Sequence, residues 1–461
     1  MELPVDFVIR TRTLLGDDYD HFEKALATDT PVSIRLNRRK ELSIPVFGEQ
    51  IPWCDMGYYL PERLTFTFDP LFHAGGYYVQ EASSMFLEQA IRTYVKEPVR
   101  CLDLCAAPGG KSTHLLDLLP EDSLLISNEV IRNRSLILAE NVTKWGAPNV
   151  IISNEDPEKI GQLTHYFDVI VTDVPCSGEG MFRKDEDSRD EWSIANVQLC
   201  ASRQRRIIHD IWDALKPGGI LVYSTCTYNT EENESNIQHI AEDLGAEVLP
   251  LSYPDEWNIT GALEGNSPVH RFFPHQTKGE GFFLAVLRKE EGDCNTVKIK
   301  KAKDRKKESI PAEFLRWLKQ PENFFLNNHN GTIEAFPIIY KEDYTLLTEK
   351  LKIISAGLRL GESKGKDLIP HPALALSSVL DKNRFNQTEI SWEDAIRYLR
   401  KEAISLDPNS EKGYHLITYQ KLPIGFVKQL GHRSNNLYPS EWRIRSTYTP
   451  DNVKTLKNDI I

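Results

Sequence analysis

The strongest constraint on this chain is an alternation, from Pro98 to about Leu287, of short apolar runs with longer amphipathic stretches. The runs lie at residues 99–104, 123–127, 150–153, 167–172, 219–224 and 282–287. Runs this short and this apolar read as strands buried on both faces, and the amphipathic stretches between them read as crossover helices. The alternation predicts an α/β core with a doubly wound, Rossmann-like sheet. Such sheets bind ligands beyond the carboxyl ends of their strands, which directs attention to the residues just past each run.

The flanks read differently. Residues 1–97 are expected to form a mixed N-terminal accessory or RNA-binding domain, with 98–290 as the core. Residues 291–310, which include the run Lys298 to Lys307, read as a basic linker, 311–355 as a central segment, and 356–461 as a β-rich C-terminal domain. In the last of these, the stretch from Gly425 to Pro439 interleaves aromatics with Lys, Arg and Asn, a composition suited to stacking and phosphate contact on RNA. The net charge of −12 is unevenly divided: residues 298–461 hold 28 Lys+Arg against 20 Asp+Glu, the preceding residues 27 against 47. Only the C-terminal part has a sign favourable to phosphate. No apolar stretch approaches the ~20 residues that span a bilayer, and the start lacks the basic-then-apolar order of a signal peptide. A cytoplasmic monomer without membrane contact is the expectation. Seven cysteines at scattered positions give neither a disulfide framework nor zinc spacing, so reduced thiols and no metal are expected.

Two of those thiols follow strand runs directly: Cys176 in Asp173-Val174-Pro175-Cys176-Ser177-Gly178 and Cys226 in Tyr223-Ser224-Thr225-Cys226-Thr227. Both should emerge beside the loop Cys105-Ala106-Ala107-Pro108-Gly109-Gly110-Lys111-Ser112. That loop lacks the first glycine of a P-loop and the G-x-G-x-x-G of dinucleotide enzymes, which argues against an ATPase or a dehydrogenase. A strand, a Gly-Gly turn and a helix still present backbone N–H groups to a small charged cofactor. Glu129, Asp156 and Asp173 end successive strands. An acidic residue at the position of Glu129 suits a ribose diol, and the set of three suits S-adenosylmethionine, with its diol, adenine amino group and cationic sulfonium. Methylation of a pyrimidine at C5 is one of the few reactions needing two thiols, because the ring carbon becomes nucleophilic only after covalent attack on its neighbour.

At the level of these motifs the chain resembles the Sun-type RNA cytosine-C5 methyltransferases, in particular the RsmF-like branch, which acts on small-subunit ribosomal RNA. The resemblance rests on Cys105 to Ser112, on Asp173 to Asp185, on Tyr223 to Glu234, on Gln80 to Met85, and on Arg271 to His275 with Gly281 to Phe283. It implies a class I methyltransferase core and a PUA-like RNA-binding C-terminal domain. It further implies that Cys105, Ala106, Ala107, Pro108, Gly109, Gly110, Lys111, Glu129, Asp156 and Asp173 bind S-adenosylmethionine, that Cys226 is the nucleophile, and that Cys176 assists release. Lys111 is a candidate to favour the Cys226 thiolate, and Asp173 a candidate to hydrogen-bond cytosine N3. Arg183 and Lys184 are candidates for flanking phosphates. The expected substrate is RNA, read as 16S ribosomal RNA, with transfer RNA or a non-catalytic ribosome-assembly role as alternatives.

Overall fold

The computed structural model describes residues 3–40, 42, 48–293 and 310–456. The basic run Lys298 to Lys307 and Cys294 lie outside them. A nine-stranded sheet dominates the structure. Its parallel centre comprises β4 (Arg100–Asp103), β5 (Leu124–Asn128), β6 (Val150–Ser153), β7 (Phe167–Asp173) and β8 (Leu215–Thr225). These follow β1 (Val32–Leu36), β2 (Gly57–Leu60) and β3 (Tyr77–Val79), a separate three-stranded antiparallel sheet in the N-terminal region. β9 (Ala246–Leu249), β10 (His270–Phe272) and β11 (Phe282–Lys289) close one side of the large sheet, with β11 antiparallel to β8. The order β8-β7-β4-β5-β6 reverses direction at β4, so the switch point lies between β4 and β7.

Strand periodicity sorts the apolar residues into two layers. Cys101, Val169, Val222 and Leu284 join one core, while Leu102, Ile170, Leu221 and Phe283 join the other. Both faces are covered, which is why these strands read as continuous apolar runs.

The C-terminal part contains β12 (Phe324–His329), β13 (Thr332–Pro337), β14 (Ile353–Ala356), β15 (Leu358–Lys364), β16 (Asp367–Pro370), β17 (Asn386–Glu389), β18 (Gly413–Tyr419), β19 (Leu422–Gln429) and β20 (Ser434–Asn436). The division expected at 355/356 is not a structural boundary. β12 and β13 share one sheet with β15 and β16, and β14 leaves that sheet to pair antiparallel with β6, extending the large sheet. A second sheet, β17-β18-β19-β20, forms the terminal unit. Asp343 anchors the central segment to the core, accepting from Arg100 Nε at 2.6 Å and from Tyr166 Oη at 2.7 Å.

The two flanks also meet each other. Ile34, Leu71 and Tyr77 of the N-terminal region share one core with Ile396, Tyr398, Ile424 and Tyr438. Leu456 N donates to Asp69 at 2.8 Å and Trp392 Nε1 to Phe68 O at 3.0 Å. Gly75, at φ +67°, lets this region approach the helix Arg132–Trp145: a Cβ there would lie 1.9 Å from Lys144 O. The aromatics expected to stack on RNA are largely interior, since Phe426 and Tyr438 are buried; Leu430, His432, Arg433 and Asn435 are the exposed members of that stretch. No helix among the described residues is long and apolar enough to cross a membrane.

Candidate active site

The loop expected to hold the cofactor rises from β4 at the switch point. Ala106 N donates to Asn128 O at 2.8 Å, and Arg134 Nη2 and Asn141 Nδ2 cap the carbonyls of Ala107 and Pro108 at 2.9 and 2.8 Å. Gly109, at φ +117°, turns the chain into the helix Gly110–Leu118, with a Cβ position only 3.3 Å from Leu138. The loop is therefore held through the backbone of residues 106–108, with the start of the following helix at the sheet edge. Burial pushes the Cys105 thiol well up, which makes it a packing group whose backbone belongs to the loop.

Asp103, at the end of β4, is fully buried. Its Oδ2 accepts from Ser112 Oγ at 2.6 Å, while Oδ1 is buried without a hydrogen-bond partner. Burial raises its carboxyl to about 7, helped by the charges of Asp173 and Glu129 and opposed by Ser112 and Lys111. Glu129 is 3% exposed; Oε1 accepts from Ile131 N at 2.9 Å and Oε2 lies 3.2 Å from Arg134 Nη1. A carboxylate has about four acceptor positions, so lone pairs remain for a diol. Beside it Val130 and Ile131 are 55% and 51% exposed, an apolar surface of a kind a purine covers. An unpartnered buried carboxylate oxygen, an acidic group with spare acceptors and an exposed apolar pair fit a cationic adenosyl cofactor. Asp156 stands apart: it is exposed, and its Oδ1 caps the helix Pro157–Gly161 through Glu158 N at 3.1 Å.

Across the switch point Lys111 Nζ meets Asp173 Oδ2 at 2.7 Å, and Ser224 Oγ donates to Asp173 Oδ1 at 3.1 Å. Burial alone would lower the Lys111 ammonium; the Asp173 ion pair outweighs it, with Asp103 and Cys226 adding in the same direction, and the net shift is upward. The two strand-end thiols converge as the sequence predicts, with Cys176 Sγ 3.2 Å from Cys226 Sγ. Hydrogen bonding to Cys226, burial and the nearby Glu232 carboxylate all hold the Cys176 thiol well above its usual range. Cys176 thus keeps its proton and can offer it to the Cys226 sulfur.

Arg183 does not serve as a free cation. It is buried, pairing with Glu280 at 2.9 Å and donating to Gly279 O at 2.7 Å. Lys184 is partly exposed, 3.7 Å from Glu280. Glu280 also ties the Gly281 to Phe283 stretch to the Gln80 to Met85 stretch: its N donates to Glu81 Oε1 at 2.8 Å and its O accepts from Ser83 Oγ at 3.1 Å. Among the described residues one trio of metal-ligand types converges, Cys54, Glu88 and His114. His114 Nε2 lies 3.1 Å from Glu88 Oε2 and 3.8 Å from Cys54 Sγ, and Arg92 holds the other Glu88 oxygen at 2.8 Å. The three side chains form a hydrogen-bonded cluster, in which burial raises the Cys54 thiol and lowers His114 to about 4. Sequence reasoning misses Asp103, Glu179 and Glu232; of these, Asp103 is legible as a carboxylate closing a strand at the loop.

Known proteins repeat this organisation. Residues 93–288 match the family described as 16S rRNA methyltransferase RsmB/F, residues 3–82 the N-terminal domain of 16S rRNA methyltransferase RsmF, and residues 385–444 the methyltransferase RsmF PUA domain. The ribosomal RNA small subunit methyltransferase F of Enterobacter sp. (strain 638) is 32% identical over 95% of both chains. That of Serratia proteamaculans (strain 568) is 30% identical over 95% of this chain and 96% of its own. A methyltransferase homolog protein from Pyrococcus horikoshii is 30% identical with a TM-score of 0.53, covering 61% of this chain and 94% of that one. NSun6 from Pyrococcus horikoshii, solved with SFG, shares the fold at 22% identity and a TM-score of 0.54, over 63% and 99% of the two chains. With full-length relatives at this identity and the fold to match, the chain belongs to the ribosomal RNA small subunit methyltransferase F family.

Proposed function

We propose that this protein methylates C5 of a cytosine in 16S ribosomal RNA with S-adenosylmethionine, through a covalent bond between Cys226 and C6 of the base. The observation that carries the reading is the 3.2 Å approach of two strand-end thiols beside the Lys111–Asp173 ion pair. Family membership supports the substrate.

The Lys111 ammonium, close enough for Cys226 to act on it by charge, favours thiolate at that sulfur, and the Cys176 S–H stabilises the same charge. The Cys226 thiolate adds to C6, forming the S–C6 bond and moving an electron pair toward C5. Asp173, ion-paired to Lys111 and accepting from Ser224, holds a water that donates to cytosine N3, and the Lys111 ammonium steadies the charge that reaches that atom. S-adenosylmethionine, when bound, supplies the methyl group as an electrophile; Glu129, Asp103, Val130, Ile131 and the 105–111 backbone hold it, and Asp156 lies at the rim. Solvent water takes the C5 proton, and the electron pair it leaves forms the C5–C6 double bond as the S–C6 bond breaks, restoring the ring. Cys176, already hydrogen-bonded to the departing sulfur, assists that step by protonating it. The target base must be unpaired or extruded to reach two thiols at a sheet edge.

Residues 98–290 hold the chemistry and the N-terminal region serves as an accessory RNA-binding domain, while the charge distribution favours RNA contact by the C-terminal part. We place the protein in the cytoplasm, acting as a monomer on rRNA or the small subunit, without a metal. Incubation of unmodified 16S rRNA and of small subunits with tritiated S-adenosylmethionine, followed by bisulfite sequencing, tests the reading. New 5-methylcytosine that depends on Cys226 is expected. Absence of transfer to either substrate, or transfer by Cys226→Ala, contradicts it.

A further inference from the structure

The two thiols stand on loops that leave different strands, and strand-exit loops do not by themselves hold two sulfurs in register. One buried side chain joins these loops. Glu179, three residues past Cys176, is 2% exposed and accepts five hydrogen bonds. Oε2 accepts from Thr227 Oγ1 at 2.6 Å, Tyr228 N at 2.7 Å and Asn229 N at 2.9 Å, which are the three residues directly after Cys226. Oε1 accepts from Trp192 Nε1 at 3.0 Å and Asn229 Nδ2 at 3.1 Å. The neighbouring backbone completes the joint. Gly180 N donates to Cys226 O at 2.9 Å, and a Cβ on Gly180 would lie 2.9 Å from that same oxygen and 2.7 Å from Gly281 O. Ser177 Oγ lies 3.0 Å from Thr227 Oγ1. Glu232 braces the other side, accepting from Ser177 N at 3.0 Å and Asn229 Nδ2 at 2.8 Å.

We propose that Glu179 is the positioning residue of the thiol pair: its carboxylate fixes the backbone after Cys226 to the loop of Cys176 and so sets the distance between attacking and assisting sulfurs. Five donors converging on one ionised group in a dry setting form a stiffer joint than neutral hydrogen bonds provide. Only a carboxylate satisfies them all. Glutamine keeps the shape but turns one oxygen into an NH2, which then faces either the Thr227, Tyr228 and Asn229 donors or those of Trp192 and Asn229. The loop after Cys226 must then move. Charge on a side chain that touches neither base nor cofactor thereby acts on chemistry through geometry. This inference rests on the assignment of Cys226 and Cys176 made above.

The test compares the full chain with Glu179→Gln and Thr227→Val, the latter removing one of the five donors. Folding is followed by thermal melting, S-adenosylmethionine affinity by calorimetry, the first-order rate of covalent Cys226–RNA adduct formation by quench on denaturing gels, and Cys226 reactivity by iodoacetamide alkylation against pH. Glu179→Gln is expected to bind cofactor and RNA within twofold of the parent, to form adduct at least tenfold more slowly, and to shift the alkylation profile; Thr227→Val should do the same to a smaller degree. Should Glu179→Gln fail to fold, Thr227→Val carries the test alone. Adduct rates and alkylation profiles equal to the parent's, or losses that merely track melting temperature, would overturn the proposal. A parent protein that forms no adduct at Cys226 would instead remove the thiol assignment on which it rests.

Discussion

Cys176 and Cys226, fifty residues apart in sequence, bring their sulfurs to 3.2 Å at the ends of neighbouring parallel strands β7 and β8. The pairing of those strands, Asp173 opposite Ser224, fixes the height at which each chain leaves the sheet, and the loops beyond carry the thiols. Cys226→Ala is expected to abolish methyl transfer and RNA adduct together. Cys176→Ala should still attack but release slowly, so that protein cross-linked to RNA accumulates on denaturing gels. A stalled adduct in the Cys226 variant instead would exchange the two roles.

Glu129 lies at the exit of β5 with only part of its acceptor capacity used. Glu129→Ala is expected to weaken S-adenosylmethionine by ~1.5–3 kcal/mol, the range for losing hydrogen bonds to a charged group. Calorimetry against Glu129→Gln separates that loss from a disturbance of Arg134.

Binding of a cationic cofactor should draw down the Asp103 carboxyl, which burial holds at about 7 in the free protein. A proton is then released on binding near neutral pH, and affinity rises with pH through that region. Calorimetry in buffers of different ionisation enthalpy measures the proton directly. Asp103→Asn should remove the linkage, and an unchanged proton count would show that another group carries it.

The C-terminal part cannot be removed as a free module, because β14 completes the large sheet and Tyr398 and Tyr438 fill a core shared with the N-terminal region. Truncation after residue 297 should lower stability and cofactor binding, visible as an earlier urea midpoint. RNA contact is better tested on exposed cations. Replacing Lys421 and Arg433 by Ala should weaken RNA binding and reduce its salt slope by about one for each phosphate no longer neutralised, with cofactor affinity unchanged.

Burial lowers five histidines among the described residues: His73 and His371 to about 3, His114 and His270 to about 4, and His275 in the same direction. In the unfolded chain each takes a proton near pH ~6.5. The unfolded state therefore binds more protons below that pH, so stability is full above it and falls as pH drops toward 4. Urea titrations at decreasing pH should show the midpoint moving down, and His114→Gln should flatten part of that slope.

Much of the catalytic core was legible in the chain. Apolar runs of β-strand length, buried on both faces, specify a parallel sheet, and a parallel sheet puts the residues after each strand at one edge, so Cys105 to Lys111, Glu129, Asp173, Cys176 and Cys226 could be placed together from spacing alone. Local sequence could not decide what depends on contacts between distant segments. Nothing in residues 353–356 says that they pair with β6, nor does the stretch around Phe426 reveal that Ile424 and Val427 meet the N-terminal region while Phe426 packs into a separate core. Arg183 looked like a phosphate ligand because a cation after a loop is usually solvated; Glu280, 97 residues on, makes it internal. Glu179 gave no strand-end signal, and only the meeting of two loops gives its carboxylate five donors. Periodicity determined the sheet and its functional edge; long-range hydrogen bonding decided which charged groups face the solvent and which hold the site together, because a buried charge takes its role from partners that sequence neighbours do not supply.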